Sequence, residues 1–480
     1  MLGIVAVNGY IPYYRLPRTA VGDAWRLEQA RDLLIGERAV AAFDEDTITL
    51  AVEAALHTLE DRPTDQIGAL FFASTTPVFL EKSNAAVVAA ACDIPATTTF
   101  DLTGTLRSGT SALALAFDAV LVERTPQALV VAADMRPAEP GTLADAINGD
   151  GAAALLVGEG DNVIAELIAE AHLSAPVLDT WRRTQDRYLQ SDDEAFALQT
   201  GYMRYMNEVG ERLLANANIT PDQLAGVALY APDGRALMRL AKRSPFGVAL
   251  ARMGMASPAA VLLMQAGNLG AAFAIAQLAL LLENAHPGDF IALVGYGDGA
   301  DAYLFRVTDA VEAWRPRRTL RHWLARKGEI TYTLAHAFRE NWRDKPLWPP
   351  TAEPWTSLPL LHREQAELLR FYAQRCTTCG AVWWPHRPNC YDCGAQTGFE
   401  MVRLSRRGTV ASFVAEWAVP TPLPPLGMVT VDTPEGARIT TQSTDGDPRA
   451  FALGDDVEFA LRVFHTAKNV PHYSWKVRKA

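Results

Sequence analysis

The sequence predicts an α/β domain over residues 1–308, followed by a linker and a smaller β-rich region built around a metal. Three observations carry that reading. Short runs such as GALFFAST, ALVVAAD, GVALYAP and FIALVGYGDG are apolar at nearly every position, the pattern of strands covered on both faces. Ala- and Leu-rich segments of helical length separate them, among them TITLAVEAALHTLE, NAAVVAAAC, SALALAFDAVLVE and AAFAIAQLALLLENA, so helices lie against the sheets. Beyond residue 309 this alternation stops, and four of the five cysteines crowd between Cys376 and Cys393.

The later elements follow from local composition. The stretch from WRPRRTLRHWLARKGEI to WTSLP is rich in Trp, Arg and Pro and poor in β-branched runs, so residues 309–357 are expected to form an amphipathic linker on a surface. Residues 358–399 hold one expected helix, LLHREQAELLRFYAQR, that leads into the cysteines. Over 400–480, the runs GTVASFVAEWAV, LGMVTVDT, ARITTQST and DDVEFALRVF alternate and are split by Gly, Pro and Asp, as the strands of a small antiparallel barrel are. No short-period repeat interrupts this plan.

Composition narrows the function classes. With 480 residues, 49% of them hydrophobic and 21% charged, the chain has room for one large domain plus a smaller one, or for two or three of ordinary size. A net charge of -11 argues against non-specific attraction to nucleic acid, which rewards a positive surface. The N-terminal MLGIVAVNGYIPYYR has no basic segment before its apolar run and meets Pro12 early, unlike a signal peptide. No stretch of about 18 uninterrupted apolar residues appears. A cytoplasmic protein with neither membrane nor nucleic-acid partner is therefore expected.

The cysteines carry the sharpest single signal. In CTTCGAVWWPHRPNCYDCG, Cys376 and Cys379 stand two residues apart, as do Cys390 and Cys393. Each pair can aim two thiolates at one ion, and two such turns complete a tetrahedral zinc site with no open position. The zinc is therefore expected to be structural, stabilising a module too small to hold itself together. His386 is expected on the loop rather than as a ligand, and a redox pair explains the two equal spacings less well.

Several ordered stretches then resemble one family. GIVAVNGYIPYYRL, DLTGTLRSGTSALALA, VVAADMRPAEPGTLADAINGDGAAALLVGEG, DTWRR, VALYAPDGRAL, AGNLGAAFAIAQLALLLENAHPGD and VGYGDGADAYLF together resemble the thiolase superfamily, within it the hydroxymethylglutaryl-CoA synthase branch with its archaeal-type members. The resemblance covers about the first 300 residues. The remainder, ending in HYSWKVRKA, resembles the DUF35 proteins, which join a rubredoxin-like zinc ribbon to an OB-fold. The implied fold is a duplicated, five-layered α-β-α-β-α domain with the active site between its halves. Zinc and a coenzyme A thioester are the implied cofactor and ligand.

The resemblance also implies a Cys nucleophile assisted by His, Asn and Glu, and here the chain departs from it. Setting DLTGTLRSGTSAL on the family's Cys-bearing turn puts Leu106 at the nucleophile, and Leu cannot form an acyl-enzyme. Cys92, the one cysteine outside the cluster, reads as a buried packing thiol, and Ser108 is a hydroxyl with no evident base. The family His matches Tyr230, a poor base near neutral pH but a usable proton or hydrogen-bond donor. The family Glu matches Ser74. Asn268 in GNLG matches the family Asn, or simply braces the helix after it. Gly297 and Gly299 match the glycine-rich turn near the acyl group, where any member needs them for the backbone. Asp233 reads as a solvated turn residue, and Asp134, Arg136, Trp181 and Arg182 as framework.

Two functions remain, with a third of lower weight. The first is a non-catalytic, DUF35-bearing subunit that pairs with a Cys-bearing thiolase-like chain, or with itself as a dimer, to make or break C–C bonds in acyl-CoA or polyketide-like substrates. The second is a Cys-independent aldolase or lyase using Tyr230 and Asn268. Nucleic-acid binding through the ribbon and barrel is disfavoured by the overall acidity.

Overall fold

The computed structural model describes residues 1–27, 30–95, 97–339 and 357–480. The chain divides into two compact units: Met1–Ala41 with Leu50–Ala89 and Ile94–Ala335, and Ala42–Thr49 with Ala90–Asp93 and His336–Ala480. Among the described residues no single helix is long and apolar enough to cross a membrane.

The first unit is built on nine strands: β1 (Leu2–Tyr10), β2 (Ile67–Ala73), β3 (Thr98–Leu102), β4 (Gln127–Asp134), β5 (Gly151–Glu159), β6 (Ala165–Ser174), β7 (Leu224–Leu229), β8 (Phe290–Tyr296) and β9 (Gly299–Val307). Their order is β7-β8-β9-β6-β1-β5-β4-β2-β3. The same pairing plan occurs twice. β1 pairs antiparallel with β5, β5 antiparallel with β4, and β4 parallel with β2. Likewise β6 pairs antiparallel with β9, β9 antiparallel with β8, and β8 parallel with β7. This is the duplication expected of the domain, and the halves meet where β1 pairs with β6 at Gly3 and Ile4. A Cβ on Gly3 would lie 2.2 Å from the Ala165 carbonyl oxygen, so the junction closes only on glycine. The first half carries a further edge strand, β3, parallel to β2.

Four helices complete the layers: α1 (Thr47–Leu59), α2 (Ser108–Leu121), α3 (Arg204–Ala217) and α4 (Phe273–Leu282). α2 packs on β2 and β4 and also reaches β8 and β9, while α4 packs on β7 and β8 and also reaches β1 and β5. These two helices therefore form the layer between the halves. α4 is apolar nearly all round, as a helix covered on both sides must be. Its polar exception, Gln277, is buried and exchanges two hydrogen bonds with the backbone of Leu229, at 3.0 and 2.7 Å. On the outer faces, Thr58 of α1 donates to the Ala154 carbonyl of β5, and α3 packs on β6 and β9.

The expected linker begins as packed structure. Short helices cover Ala310–Ala313 and Leu320–Ala325, and Trp323 is fully buried with its ring 5.2 Å from that of Tyr10. Buried Arg15 donates to the Trp323 carbonyl. The aromatic and Arg content that suggested a surface segment thus serves an interior contact. Residues 340–356 lie outside the described residues.

In the second unit the expected single helix is also different. Two short helices, Leu358–Arg363 and Gln365–Leu368, are followed by a strand, β10 (Tyr372–Cys376). Phe371 turns the chain with a φ of 61°. β10 then pairs with β11 (Val382–Trp383) and β12 (Phe399–Arg403). Cross-strand pairing delivers Cys376 to its knuckle, which a continuous helix would not. Five strands follow: β13 (Arg407–Glu416), β14 (Leu426–Asp432), β15 (Arg438–Gln442), β16 (Asp456–Ala467) and β17 (Val470–Lys479), ordered β15-β14-β13-β16-β17. A bridge between Ser443 and Val477 closes β15 onto β17. The four ladders between these strands are antiparallel and the closing bridge is parallel, which makes a small barrel.

This unit has an ionic interior. Arg462 sits 3.1 Å from Glu45 and 3.2 Å from Asp445, with all three side chains fully buried. Arg478 bonds Glu458 at 2.9 Å, and Lys476 bonds Asp44 at 2.9 Å. Breaking such a pair leaves an uncompensated buried charge. Arg462→Met is therefore expected to cost about 3–5 kcal/mol in denaturant unfolding, whereas Arg438→Met, which breaks an exposed pair with Asp432, should cost no more than about 1 kcal/mol. Equal effects would contradict the assignment.

Candidate functional site

The turn between β3 and α2 is where the first half of the first unit touches the second. Residues 103–107 connect the edge strand to the helix, and Leu106 is half-buried in that turn, directly before Ser108 opens α2. Gly297, between β8 and β9, has a φ of 148°, and a Cβ there would meet Thr105 Oγ1 at 2.4 Å and the backbone nitrogens of Leu106 and Arg107 at 2.9 and 3.0 Å. The glycine thus lets one half's backbone lie directly against the other half's turn. Gly299, with a φ of 109°, is excluded from carrying a Cβ by the Leu173 carbonyl oxygen at 2.1 Å.

Arg107 ties the same turn to the second half. Its guanidinium donates to the Leu173 carbonyl at 2.8 Å and to Asp301 at 3.1 Å. Asp301 also accepts from the hydroxyls of Thr110 and Ser111, at 3.1 and 2.9 Å, and faces His172 Nδ1 at 3.0 Å. Burial pushes the Asp301 carboxyl up, but His172, Arg107 and Ser111 outweigh it and hold it below its ordinary range. The same hydrogen bond to Asp301 raises the pKa of His172.

Tyr230 follows β7 and Asn268 precedes α4, and the structure brings them together. Asn268 Nδ2 donates to Tyr230 Oη at 3.1 Å and approaches the carbonyls of Ala231 and Pro232 at 3.2 and 3.3 Å. Its Oδ1 accepts from the Gly270 amide at 2.9 Å. The side-chain amide of Asn268 thus has partners within the protein on both its nitrogen and its oxygen. Tyr230 is buried, and burial raises its phenol pKa, opposed by Arg136 and the Asn268 bond. It is a neutral phenol at physiological pH, not a base.

Ser74 joins this network through Asp134. The Asp134 carboxylate accepts from Ser74 Oγ at 3.0 Å, the Thr75 amide at 2.7 Å and the Ala271 amide at 2.7 Å. Burial raises its pKa despite these bonds and the nearby Arg136. Asp134, expected as framework, therefore links Ser74 to the segment that carries Asn268. Asp233 caps the helix Gly234–Arg243 by accepting from the Ala236 amide at 2.8 Å. Cys92 is buried and belongs to the second unit, not to the unit that holds Leu106.

Sequence reasoning missed Tyr296, Tyr202, Asp301 and His172. Tyr296 ends β8 directly before Gly297, and its ring stacks on that of Tyr230 with centroids 6.2 Å apart. Tyr202 lies in a π-helical stretch, Ala197–Met203, and donates to the Tyr230 carbonyl at 2.7 Å. An aromatic at the end of an apolar strand, next to a glycine turn, was the available signal for Tyr296.

The metal centre stands in the second unit. The sulfurs of Cys376, Cys379, Cys390 and Cys393 all lie within 4.8 Å of one another. Two of the separations are 3.7 and 3.5 Å, close to the about 3.8 Å edge of a tetrahedron with Zn–S bonds of about 2.3 Å. The cysteines form a zinc-ribbon site. His386 is held elsewhere, with its amide on Glu367 at 3.0 Å and Nε2 on the Tyr372 carbonyl at 3.1 Å.

Comparisons with known proteins agree with both units. A family model described as the ChsH2 rubredoxin-like zinc ribbon domain matches residues 363–400. The chain is 29% identical to the hydroxymethylglutaryl-CoA synthase of Aeropyrum pernix over 338 residues, 69% of this chain and 92% of that protein. It is also 29% identical to that of Methanocaldococcus jannaschii over 349 residues, 71% and 99% of the two. A crystal structure of an HMG-CoA synthase complexed with CoA superposes with a TM-score of 0.62 at 20% identity, over 74% of this chain and 95% of that one. A 3-oxoacyl-(acyl carrier protein) synthase III from Pseudomonas aeruginosa does so with a TM-score of 0.56 at 20% identity, over 64% and 98%. The fold is thiolase-like α/β with a C-terminal rubredoxin-like zinc ribbon.

Two expectations follow. The purified chain should hold one zinc through four thiolates, and Cys379→Ser should lose the metal to a chelator and unfold the ribbon; a ribbon that stays folded without metal would contradict the site. For His172, whose folded pKa is raised, the stabilising contact is complete below its ordinary value of about 6.5 and is lost as pH rises through the raised value. The melting-temperature advantage of the wild type over His172→Gln should therefore shrink as pH rises from about 6 to about 8.5, and an advantage independent of pH would reject the ion pair.

Proposed function

We propose that this chain binds an acyl-CoA thioester in its thiolase-like unit without taking the acyl group. In this reading it is the non-acylating, zinc-ribbon-bearing member of a complex that makes or breaks C–C bonds in acyl-CoA or polyketide-like substrates. The carrying observation is Leu106 on a turn that keeps a close approach to Gly297 but has no thiol to present. Backbone amides at the start of α2 remain suited to an acyl oxygen. A thioester held there meets no nucleophile. Tyr230 is neutral, and the Asp134 carboxylate is committed to backbone amides and hydroxyls, so neither supplies the base that acyl transfer requires.

The second unit supports a partner role. Its barrel order, closed by the Ser443–Val477 bridge, is read as an OB-fold, and with the ribbon it makes a DUF35-like module. The expected companion is a thiolase-like chain that has its Cys, or a second copy of this chain. One observation favours the aldolase reading: Tyr230 Oη accepts from Asn268, and no acceptor for its own proton is found among the described residues. A donor of that kind suits an aldol step that needs no covalent nucleophile.

Restoring the missing group tests the assignment. Leu106→Cys combined with Tyr230→His, incubated with acetyl-CoA, should gain one acetyl group on the introduced thiol, seen by intact mass. A double variant that binds acetyl-CoA and stays unmodified would reject Leu106 as the nucleophile position. Mixing the wild type with a Cys-bearing thiolase-like chain should raise C–C bond turnover, undiminished by Tyr230→Phe. Cleavage of a 3-hydroxyacyl-CoA by the chain alone, abolished in Tyr230→Phe, would instead establish the aldolase.

A further inference from the structure

The last hairpin of the barrel carries a histidine pair that the zinc ribbon and the thiolase-like unit do not use. β16 and β17 are joined by a two-residue turn, Lys468–Asn469, with φ values of 52° and 63°, a left-handed turn that matches strand twist and fixes the register of a hairpin. Along these strands the register shifts once: Val463 pairs with Tyr473, but His465 pairs with His472. Phe464 is therefore an extra residue on β16, a bulge of the kind that re-aims the side chain beside it. Without that bulge Phe464, not His465, would oppose His472.

The two imidazoles lie face to face, with ring centroids 4.5 Å apart and planes 12° from parallel. His472 is 5% exposed, and its ring makes no hydrogen bond among the described residues. His465 is half-buried. Burial lowers the pKa of both rings, His465 lowers that of His472 further, and no carboxylate offsets either shift. Both rings are thus neutral near pH 7, the form that ligates a metal ion. A pair kept for packing alone would not need ring nitrogens, which cost free energy when buried without partners.

We propose that His465 and His472 form a second metal site, a two-imidazole clamp across the β16–β17 hairpin for a late first-row divalent ion such as Ni²⁺, Cu²⁺ or Zn²⁺. Imidazole nitrogen suits these ions, whereas Mg²⁺ and Ca²⁺ take oxygen. Two nitrogens on one such ion stand about 3.4 Å apart for tetrahedral bonds of about 2.0–2.1 Å, and rotation about χ2, a broad torsion in His, turns stacked rings toward that spacing. Water fills the other positions, since the four cysteines are the only group of three or more ligating side chains gathered together among the described residues. The ion ties β16 to β17 and stabilises the folded barrel by mass action.

Equilibrium dialysis of the full zinc-loaded chain against Ni²⁺, with nickel and zinc measured together, tests this. The wild type should take up one nickel per chain while keeping its ribbon zinc, and its melting temperature should rise with nickel concentration. His465→Gln and His472→Gln should each weaken nickel binding at least about tenfold, the least that loss of even an outer-shell partner costs a metal site, and should lose the melting shift with zinc retained. His286→Gln, which removes an exposed ring elsewhere, should change neither. Melting curves without nickel establish that each variant is folded, and the half-buried His465 carries the test if the buried His472 does not tolerate replacement. No nickel uptake by the wild type, nickel found only in place of the ribbon zinc, or uptake that survives His465→Gln overturns the inference.

Discussion

The close approach of Gly297 to residues 105–107 is the constraint around which the first unit is arranged. A side chain at 297 would collide with Thr105 and with the amides of Leu106 and Arg107, so the halves of the duplicated domain meet at this point only because glycine is there. Arg107 and Asp301 fasten the same contact from the other side. The middle helices α2 and α4 then pack between the halves, and Gln277 pins Leu229 just before Tyr230. What the turn presents to a ligand is therefore held by both halves, although its central side chain is Leu.

Much of this was legible in the chain itself. Apolar strands and Ala-rich helices reported the α/β domain because buried elements must be apolar on every covered face. The two CxxC pairs reported the ribbon because thiolate spacing follows metal geometry. Motif order singled out Leu106, Tyr230, Asn268 and Ser74, and the structure connects three of them: Tyr230 to Asn268, and Ser74 through Asp134 to the segment that carries Asn268.

Other features were hidden for physical reasons. The helix expected over LLHREQAELLRFYAQR gives way to a strand at Tyr372, because pairing with Phe399–Arg403 depends on a partner distant in sequence. Trp323 looked like surface material, yet its neighbours Tyr10 and Arg15 lie some three hundred residues away. The carboxylates Asp44 and Glu45 gave no sign of their burial, since their partners Lys476 and Arg462 come from the last strands of the barrel. Tyr296 escaped notice because a tyrosine ending an apolar strand has the same pattern whether it packs or binds.

The central claim is that a thioester is bound here and left whole. Acetyl-CoA should be allowed to equilibrate with the full chain, the complex separated from free ligand, and both components recovered after denaturation. The account predicts stoichiometric acetyl-CoA with its thioester intact, alongside protein of unchanged mass. Free CoA recovered with an equal amount of acetylated protein would contradict it.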